Sequence, residues 1–228
     1  MRSILHFCPM KDIQSELDSR RINIKKVGVK TVSYPITVRD KAQKQQQTVA
    51  TANMYVNLPH KFKGTHMSRF VEILNEFHGE IDIKSFHVIL EKMKDRLEAE
   101  ASHLEIEFPY FLKKVRNGDS RNLGHYQCSM HGSLEKEDEL TLSVEVPISL
   151  PIVEKISHRL PGSMGKWGVA DVRVRFRQFF WIEDLILLIE KTVEEELTDL
   201  SLKERKVLSV EALARRIGES FEQIDAIR

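Results

Sequence analysis

The sequence predicts an α+β fold in which antiparallel sheets carry helices on one face, arranged as two halves of similar element order. Three observations carry this. Strand-length segments that alternate apolar and polar residues come in pairs, at 25–39 with 47–58 and at 103–112 with 123–130. Between and after them lie segments whose apolar residues recur three and four apart, as in amphipathic helices. The resulting order, β-β-α-α-β-β and then β-β-α-α, repeats its first four elements without obvious sequence identity.

Residues 1–22 are polar and irregular and read as an N-terminal arm. The first half is placed at 23–132 and the second at 133–228. The strand at 25–39 presents Val27, Val29, Val32, Tyr34, Ile36 and Val38, and Gly28 marks a bulge or a close backbone approach. Asp40 to Gln46 reads as a solvated hairpin tip. The strand from Gln47 to Leu58 pairs back and stops at Pro59. Gly64 permits a sharp turn, Thr65 or Ser68 is expected to cap the next helix, and that helix runs over 67–77 with Phe70, Val71, Leu74 and Phe77 on one stripe. A second helix over 83–101 buries Phe86, Leu90, Met93 and Leu97. Strands at 103–112 and 123–130 follow, joined by Asn117-Gly118-Asp119. Parity puts Tyr126, Cys128 and Met130 on one face and His125, Gln127, Ser129 and His131 on the other, so Cys128 is expected to be buried and inert. A strand at 140–146 closes at Pro147. A long connection at 149–170 leads to a strand at 172–180, with Arg173, Arg175 and Arg177 on its polar face. The most amphipathic helix begins at Trp181, and a C-terminal helical segment over 209–228 is expected to break at Gly218.

Composition excludes several function classes. The chain has 35 basic and 34 acidic residues, a net charge of +1, so no global field draws it to nucleic acid or a membrane. No apolar run reaches the ~20 residues that span a bilayer. The first ten residues lack a secretory signal pattern, and two cysteines, Cys8 and Cys128, suit a reducing compartment. A cytoplasmic protein is expected.

Two places hold candidate chemistry. Thr65, His66, Ser68 and Arg69 lie where a strand hands over to a helix N-terminus, a place that suits an anionic ligand or simply a capped helix with a surface histidine and arginine. Glu196 falls inside the apolar stripe Ile182, Leu185, Ile186, Ile189, Val193, Leu197 and Leu200. A carboxylate there needs a cation, metal or donor, unless it snorkels to solvent at the edge of the stripe.

Several blocks together carry a family resemblance. Lys26-Val27-Gly28-Val29-Lys30, Tyr34-Pro35-Ile36, Thr48-Val49-Ala50-Thr51, Met54-Tyr55-Val56 and Lys63-Gly64-Thr65-His66-Met67-Ser68-Arg69-Phe70-Val71-Glu72 are the first. Asp12-Ile13-Gln14, Phe108-Pro109-Tyr110-Phe111 and Trp181-Ile182-Glu183-Asp184-Leu185 add to them. The chain resembles the type IB GTP cyclohydrolases over most of its length, most strongly at 10–80 and 172–190. The resemblance implies a tunnelling fold assembled as a homotetramer, with active sites at subunit interfaces. It implies conversion of GTP to 7,8-dihydroneopterin triphosphate, the entry to folate biosynthesis, with a divalent metal, zinc or manganese. In the family a cysteine, a histidine and a glutamate hold the metal, and a second glutamate pairs with the guanine edge. Counted from Trp181 without gaps, Glu196 corresponds to the first glutamate and Glu211 to the second. Thr65, His66 and Arg69 are then available to the triphosphate.

The chain departs from the family pattern where the cysteine and histidine belong. It has Pro151-Ile152-Val153-Glu154-Lys155 in place of Cys-Pro-Cys-Ser-Lys, and Gly165-Lys166-Trp167-Gly168-Val169-Ala170 in place of Gly-Ala-His-Asn-Gln-Arg. His158 lies in that loop and is the candidate replacement ligand, with Glu154 beside it. With these losses no tightly bound zinc is expected in protein purified without added metal. The alternative to an active cyclohydrolase is a pseudoenzyme, either a silent purine- or pterin-binding paralogue or a scaffold subunit.

Overall fold

The computed structural model describes residues 24–41, 44–59, 65–116, 119–136, 138–150, 166–175, 180–202 and 215–219. Strands β1 (Ile24–Asp40) and β2 (Lys44–Leu58) form the first hairpin, and helices α1 (Ser68–Asn75) and α2 (Ile83–Arg96) follow. Then come β3 (Ala101–Arg116), β4 (Asp119–Leu134), β5 (Asp138–Leu150), β6 (Lys166–Arg175) and helix α3 (Ile182–Leu202). The six strands make one antiparallel sheet in chain order, so every described strand lies beside its neighbour in sequence. The order of elements agrees with the alternation of the sequence, and the two sets of strands prove to be one continuous sheet.

The core lies between one face of this sheet and the helices. Alternation sends Ala52, Met54, Val56, Leu104, Ile106, Phe108, Cys128, Val144 and Val146 to that face, all nearly or fully buried. Phe70, Ile73 and Leu74 of α1 and Phe86, Ile89, Leu90 and Met93 of α2 meet it. α3 contributes Leu185, Ile186, Ile189 and Val193. Gly132 on β4 makes room for Phe86, whose ring would lie 2.5 Å from any added Cβ.

Prolines mark the ends of ladders rather than the ends of strands. The β2–β3 ladder stops at Thr51 opposite Glu107, two residues before Pro109. Beyond it the side chain of Gln46 replaces the missing backbone partner. Its Nε2 donates to the Phe111 carbonyl and its Oε1 accepts from the Phe111 N–H, both at 2.8 Å. Pro147 likewise lies outside the β4–β5 ladder, which ends at Gln127 opposite Glu145, and β5 continues through it paired to β6. This is why β5 runs past the expected stop at Pro147 and why β6 begins inside the segment read as a long connection.

Other expectations are corrected in detail. The hairpin tip is shorter than 40–46, because β2 begins at Lys44. Neither Thr65 nor Ser68 caps α1; Met67 takes the cap position in helical conformation and makes no side-chain cap bond. The tight turn before α1 satisfies its amides with backbone instead, Arg69 N–H to His66 at 3.2 Å and Phe70 N–H to Met67 at 3.3 Å. α2 has the side-chain cap, a reciprocal box between Asp82 and Ser85. Gly218 does not break the C-terminal segment, since residues 215–219 are helical through it.

The outer edge of β1 is partly covered. Gly79, at φ +78°, turns the chain after α1 so that its carbonyl accepts from Thr37 at 2.7 Å, and Ile81 donates back to Thr37 at 3.2 Å. A Cβ on Gly79 would strike the Pro35 carbonyl at 2.4 Å, so glycine is required there on two counts.

Candidate functional site

The start of α1 gathers the residues that the sequence proposed for an anion. Thr65 is buried at 6% exposure, His66 is half-buried, and Arg69 is exposed. One Arg69 guanidinium nitrogen donates to the Arg96 carbonyl at 3.3 Å, which anchors the side chain to the C-terminal end of α2. That carbonyl belongs to the helix's last turn, where partial negative charge favours a cation. Arg69 is therefore held in a defined place while its other donors remain.

The four other residues named from the sequence fall wholly or in their side chains outside this description. His158 and Glu211 lie beyond the described residues, as does Glu154. Glu196 lies on the backbone of α3, but its side chain is outside the described set. The structure thus brings Thr65, His66 and Arg69 to one place, and the metal role of Glu196 and the guanine role of Glu211 stand as expectations.

A buried polar seam under α3 escaped the sequence reading. Tyr110 on β3 and Tyr126 on β4 are direct cross-strand partners on the core face. The Tyr126 hydroxyl donates to Glu190 Oε1 at 2.5 Å. Tyr110 stands beside Glu183, which is 3% exposed. Glu183 Oε1 accepts from the Lys41 backbone N–H at 2.6 Å, and Lys41 Nζ pairs with Asp184 at 2.7 Å. Burial, and then the neighbouring carboxylates, raise the pKa of both phenols, so both remain neutral donors at physiological pH. The available signal was a pair of tyrosines on an apolar face, since a buried tyrosine hydroxyl needs a partner.

The opposite face of the sheet is polar. Glu105 lies opposite His131, His131 opposite Thr141, and Thr141 opposite Arg175; Glu107, Ser129, Ser143 and Arg173 form the next row. These side chains line an open groove of about 770 Å³. Several of its polar groups are engaged within the protein. His131 Nε2 is 3.7 Å from Glu105, Arg175 is 3.5 Å from Glu139, and Arg173 Nε donates to Ser143 Oγ at 3.1 Å. None of the residues proposed from the sequence for substrate or metal lines it.

Among the described residues, no group of three histidine, cysteine or carboxylate side chains is placed to hold a metal ion. Cys128 is fully buried on the core face, and burial, with Glu145 second, pushes its thiol up to about 12. A metal needs the thiolate, so Cys128 is a core residue, as parity indicated. His125 stacks near Phe111, ring centroids 5.3 Å apart, and joins no ligand set. The described donors do not fit a divalent metal.

The described helices include none long and apolar enough to cross a membrane. Comparison with known proteins extends the reading beyond the described residues. Residues 10–207 match the family model for type I GTP cyclohydrolase folE2. The protein named GTP cyclohydrolase FolE2 from Syntrophus aciditrophicus is 47% identical over 195 residues, covering 84% of this chain and 76% of that relative. The one from Syntrophobacter fumaroxidans is 49% identical over 192 residues, covering 82% and 74%. Among solved structures, a hyper-thermostable AgUricase mutant superposes with a TM-score of 0.55 over 90% of this chain and 77% of its own, at 9% identity. A highly active BTUO mutant gives 0.56 over 90% and 88%, also at 9% identity. At that identity the likeness to these structures is one of fold, whereas the sequence matches reach along nearly the whole sheet and into α3: the chain belongs to the type I GTP cyclohydrolase FolE2 family.

Proposed function

We propose that this protein is a GTP cyclohydrolase that hydrolyses the guanine imidazole ring of GTP at C8 and yields 7,8-dihydroneopterin triphosphate for folate biosynthesis in the cytoplasm. The observation that carries the reading is 47% identity over 195 residues to a relative of that name, together with a family-model match over residues 10–207, a span that includes all six strands. In this proposal Glu211 accepts from the guanine N–H edge, a task suited to a carboxylate with two acceptor oxygens. Thr65, His66 and Arg69 receive the triphosphate beside the N-terminus of α1, where the guanidinium and the helix end favour negative charge. Glu196 and His158 are the residues proposed on the metal side. The described donors make up no metal-ligand set, so the proposal assigns no chemical step to any of them.

The test is pterin fluorescence, read after oxidation, from purified protein incubated with GTP and added zinc or manganese. Turnover that a chelator removes is the expected result. Calorimetric GTP binding with no pterin under either metal would overturn the enzyme reading in favour of a silent paralogue.

Assembly is part of the same proposal. Among the described residues β1 and β6 are the two edges of the sheet, and the 79–81 turn covers β1 around Thr37. Open edges invite pairing with another chain. A closed homotetramer, with the sheet continued across subunits into a tunnel, satisfies both edges in every copy. Light scattering at micromolar concentration is expected to give four times the chain mass of 26.5 kDa, and a monomer would sink the assembly.

A further inference from the structure

The seam under α3 has an arrangement that its packing does not require. Among the described side chains of α3, Leu185, Ile186, Ile189 and Val193 are nearly or fully buried and Ile182 packs beside them. Such contacts are non-directional, and a helix presents similar ridges at every turn. Apolar packing alone therefore allows α3 to slide by a turn, about 5.4 Å along its axis.

Two glutamates remove that freedom. Glu183 and Glu190 are seven residues apart, so they stand on one face of α3, two turns removed. Each faces one tyrosine of the pair Tyr110 and Tyr126, and both tyrosines are at most 1% exposed. The Tyr126–Glu190 hydrogen bond is made at 2.5 Å. Tyr110 Oη and Glu183 Oε2 are both buried and make no hydrogen bond of good geometry with any described residue. A one-turn slip would leave carboxylates against apolar strands, which is strongly unfavourable. Glu183 is also fixed from the other side by the Lys41 N–H, at the tip of the β1–β2 hairpin.

We propose that Tyr110 and Tyr126 are positioning residues, which set the axial register of α3 through Glu183 and Glu190; α3 is the helix whose backbone carries Glu196, six residues beyond Glu190 and the residue proposed on the metal side. The inference rests on the cyclohydrolase reading for its effect on turnover, but not for its effect on the helix. A misplacement of about 1 Å caused by a change far from the chemistry costs on the order of 100-fold in rate.

The experiment uses Tyr126→Phe, Tyr110→Phe and the double variant in the full chain. It measures kcat and KM for pterin formation, together with amide hydrogen exchange in α2 and α3. Tyr126→Phe is expected to lower kcat about 10- to 100-fold with KM within about threefold of wild type. It should also speed exchange in α3 while α2 stays protected, and the double variant should do more of both. Glu190→Gln keeps an acceptor oxygen for Tyr126 and should retain most of the α3 protection. If the double variant leaves α3 exchange and kcat within twofold of wild type, the positioning role is wrong. Equal loss of protection in α2 and α3 would mean general destabilisation and also overturn it. Should wild type form no pterin, the cyclohydrolase reading fails by itself, and selective loosening of α3 still decides whether the tyrosines hold its register.

Discussion

Glu211→Ala is expected to abolish the calorimetric signal of GTP binding and, with it, pterin formation. The proposed contact is a carboxylate accepting two N–H groups from the guanine edge. Charge-assisted hydrogen bonds contribute about 1.5–3 kcal/mol each, so losing both weakens binding by about 3–6 kcal/mol, roughly 100- to 10,000-fold. Arg69→Ala acts on the other end of the substrate. Its guanidinium is exposed and already gives one donor to the Arg96 carbonyl, so its contact with a phosphate is screened by water and salt. About a tenfold weakening is expected for GTP, with guanosine unaffected, because guanosine carries no phosphate. Titrations of wild type, Glu211→Ala and Arg69→Ala with GTP, guanosine and neopterin separate the two ends. Equal heats for wild type and Glu211→Ala with all three ligands would show that Glu211 is a surface helix residue, and the anchoring assignment would fall.

The residues of that site were legible to unequal degrees. The block Gly64 to Phe70 identified itself twice, by its place between a strand and a helix and by its likeness to a family. The structure adds what the block could not show, that Arg69 reaches the end of a second helix. Cys128 was legible from parity alone, since Tyr126 and Met130 two positions away are apolar neighbours on the same face. The Tyr–Glu seam was not found. Helical periodicity scores Glu183 and Glu190 as polar positions, and nothing local to a helix shows that two strands will present hydroxyls to it. That match is a tertiary fact, created when β3 and β4 pair Tyr110 with Tyr126.

The fold was legible where alternation was clean and misread where single residues seemed to speak alone. Pro147 and Gly168 suggested the end of a strand and a loop. In the structure they are direct partners' neighbours, Pro147 opposite Val169 and Ile148 opposite Gly168, on strands whose ladder faces only one way there. A proline is tolerated where its missing N–H has no ladder to join, and that depends on where the neighbouring strand stops. The cap of α1 failed for a related reason. Thr65 and Ser68 are good capping types, but a backbone turn through His66 and Met67 had already satisfied the amides they would have served.

Gly28→Ala is expected to have the largest effect on stability. Gly28 sits opposite Tyr55 between two register shifts, at 24–27 and at 29–32, where β1 lies unusually close to β2. A Cβ there would be 1.8 Å from the Met54 carbonyl oxygen and 2.8 Å from both the Met54 carbonyl carbon and the Tyr55 Cα. All three atoms are backbone, so no rotamer change relieves the clash; β1 must move off β2 and give up hydrogen bonds on both sides of the bulge. The packing of the Lys26 ammonium over the Tyr55 ring at 4.0 Å would go with them. Losses of this kind exceed about 4 kcal/mol, at the upper end of single-residue effects. For a chain of this size that lowers Tm by about 8–16 °C. Gly218→Ala is the control, because nothing lies within 4 Å of its Cβ position and alanine is favoured over glycine in a helix. It should leave Tm unchanged or raise it slightly. A Gly28→Ala protein that melts within 2 °C of wild type would show that β1 and β2 approach less closely at Met54 than their pairing indicates. Because β1 is also an edge of the sheet, displacement of this strand is expected to lower the mass seen by light scattering together with Tm.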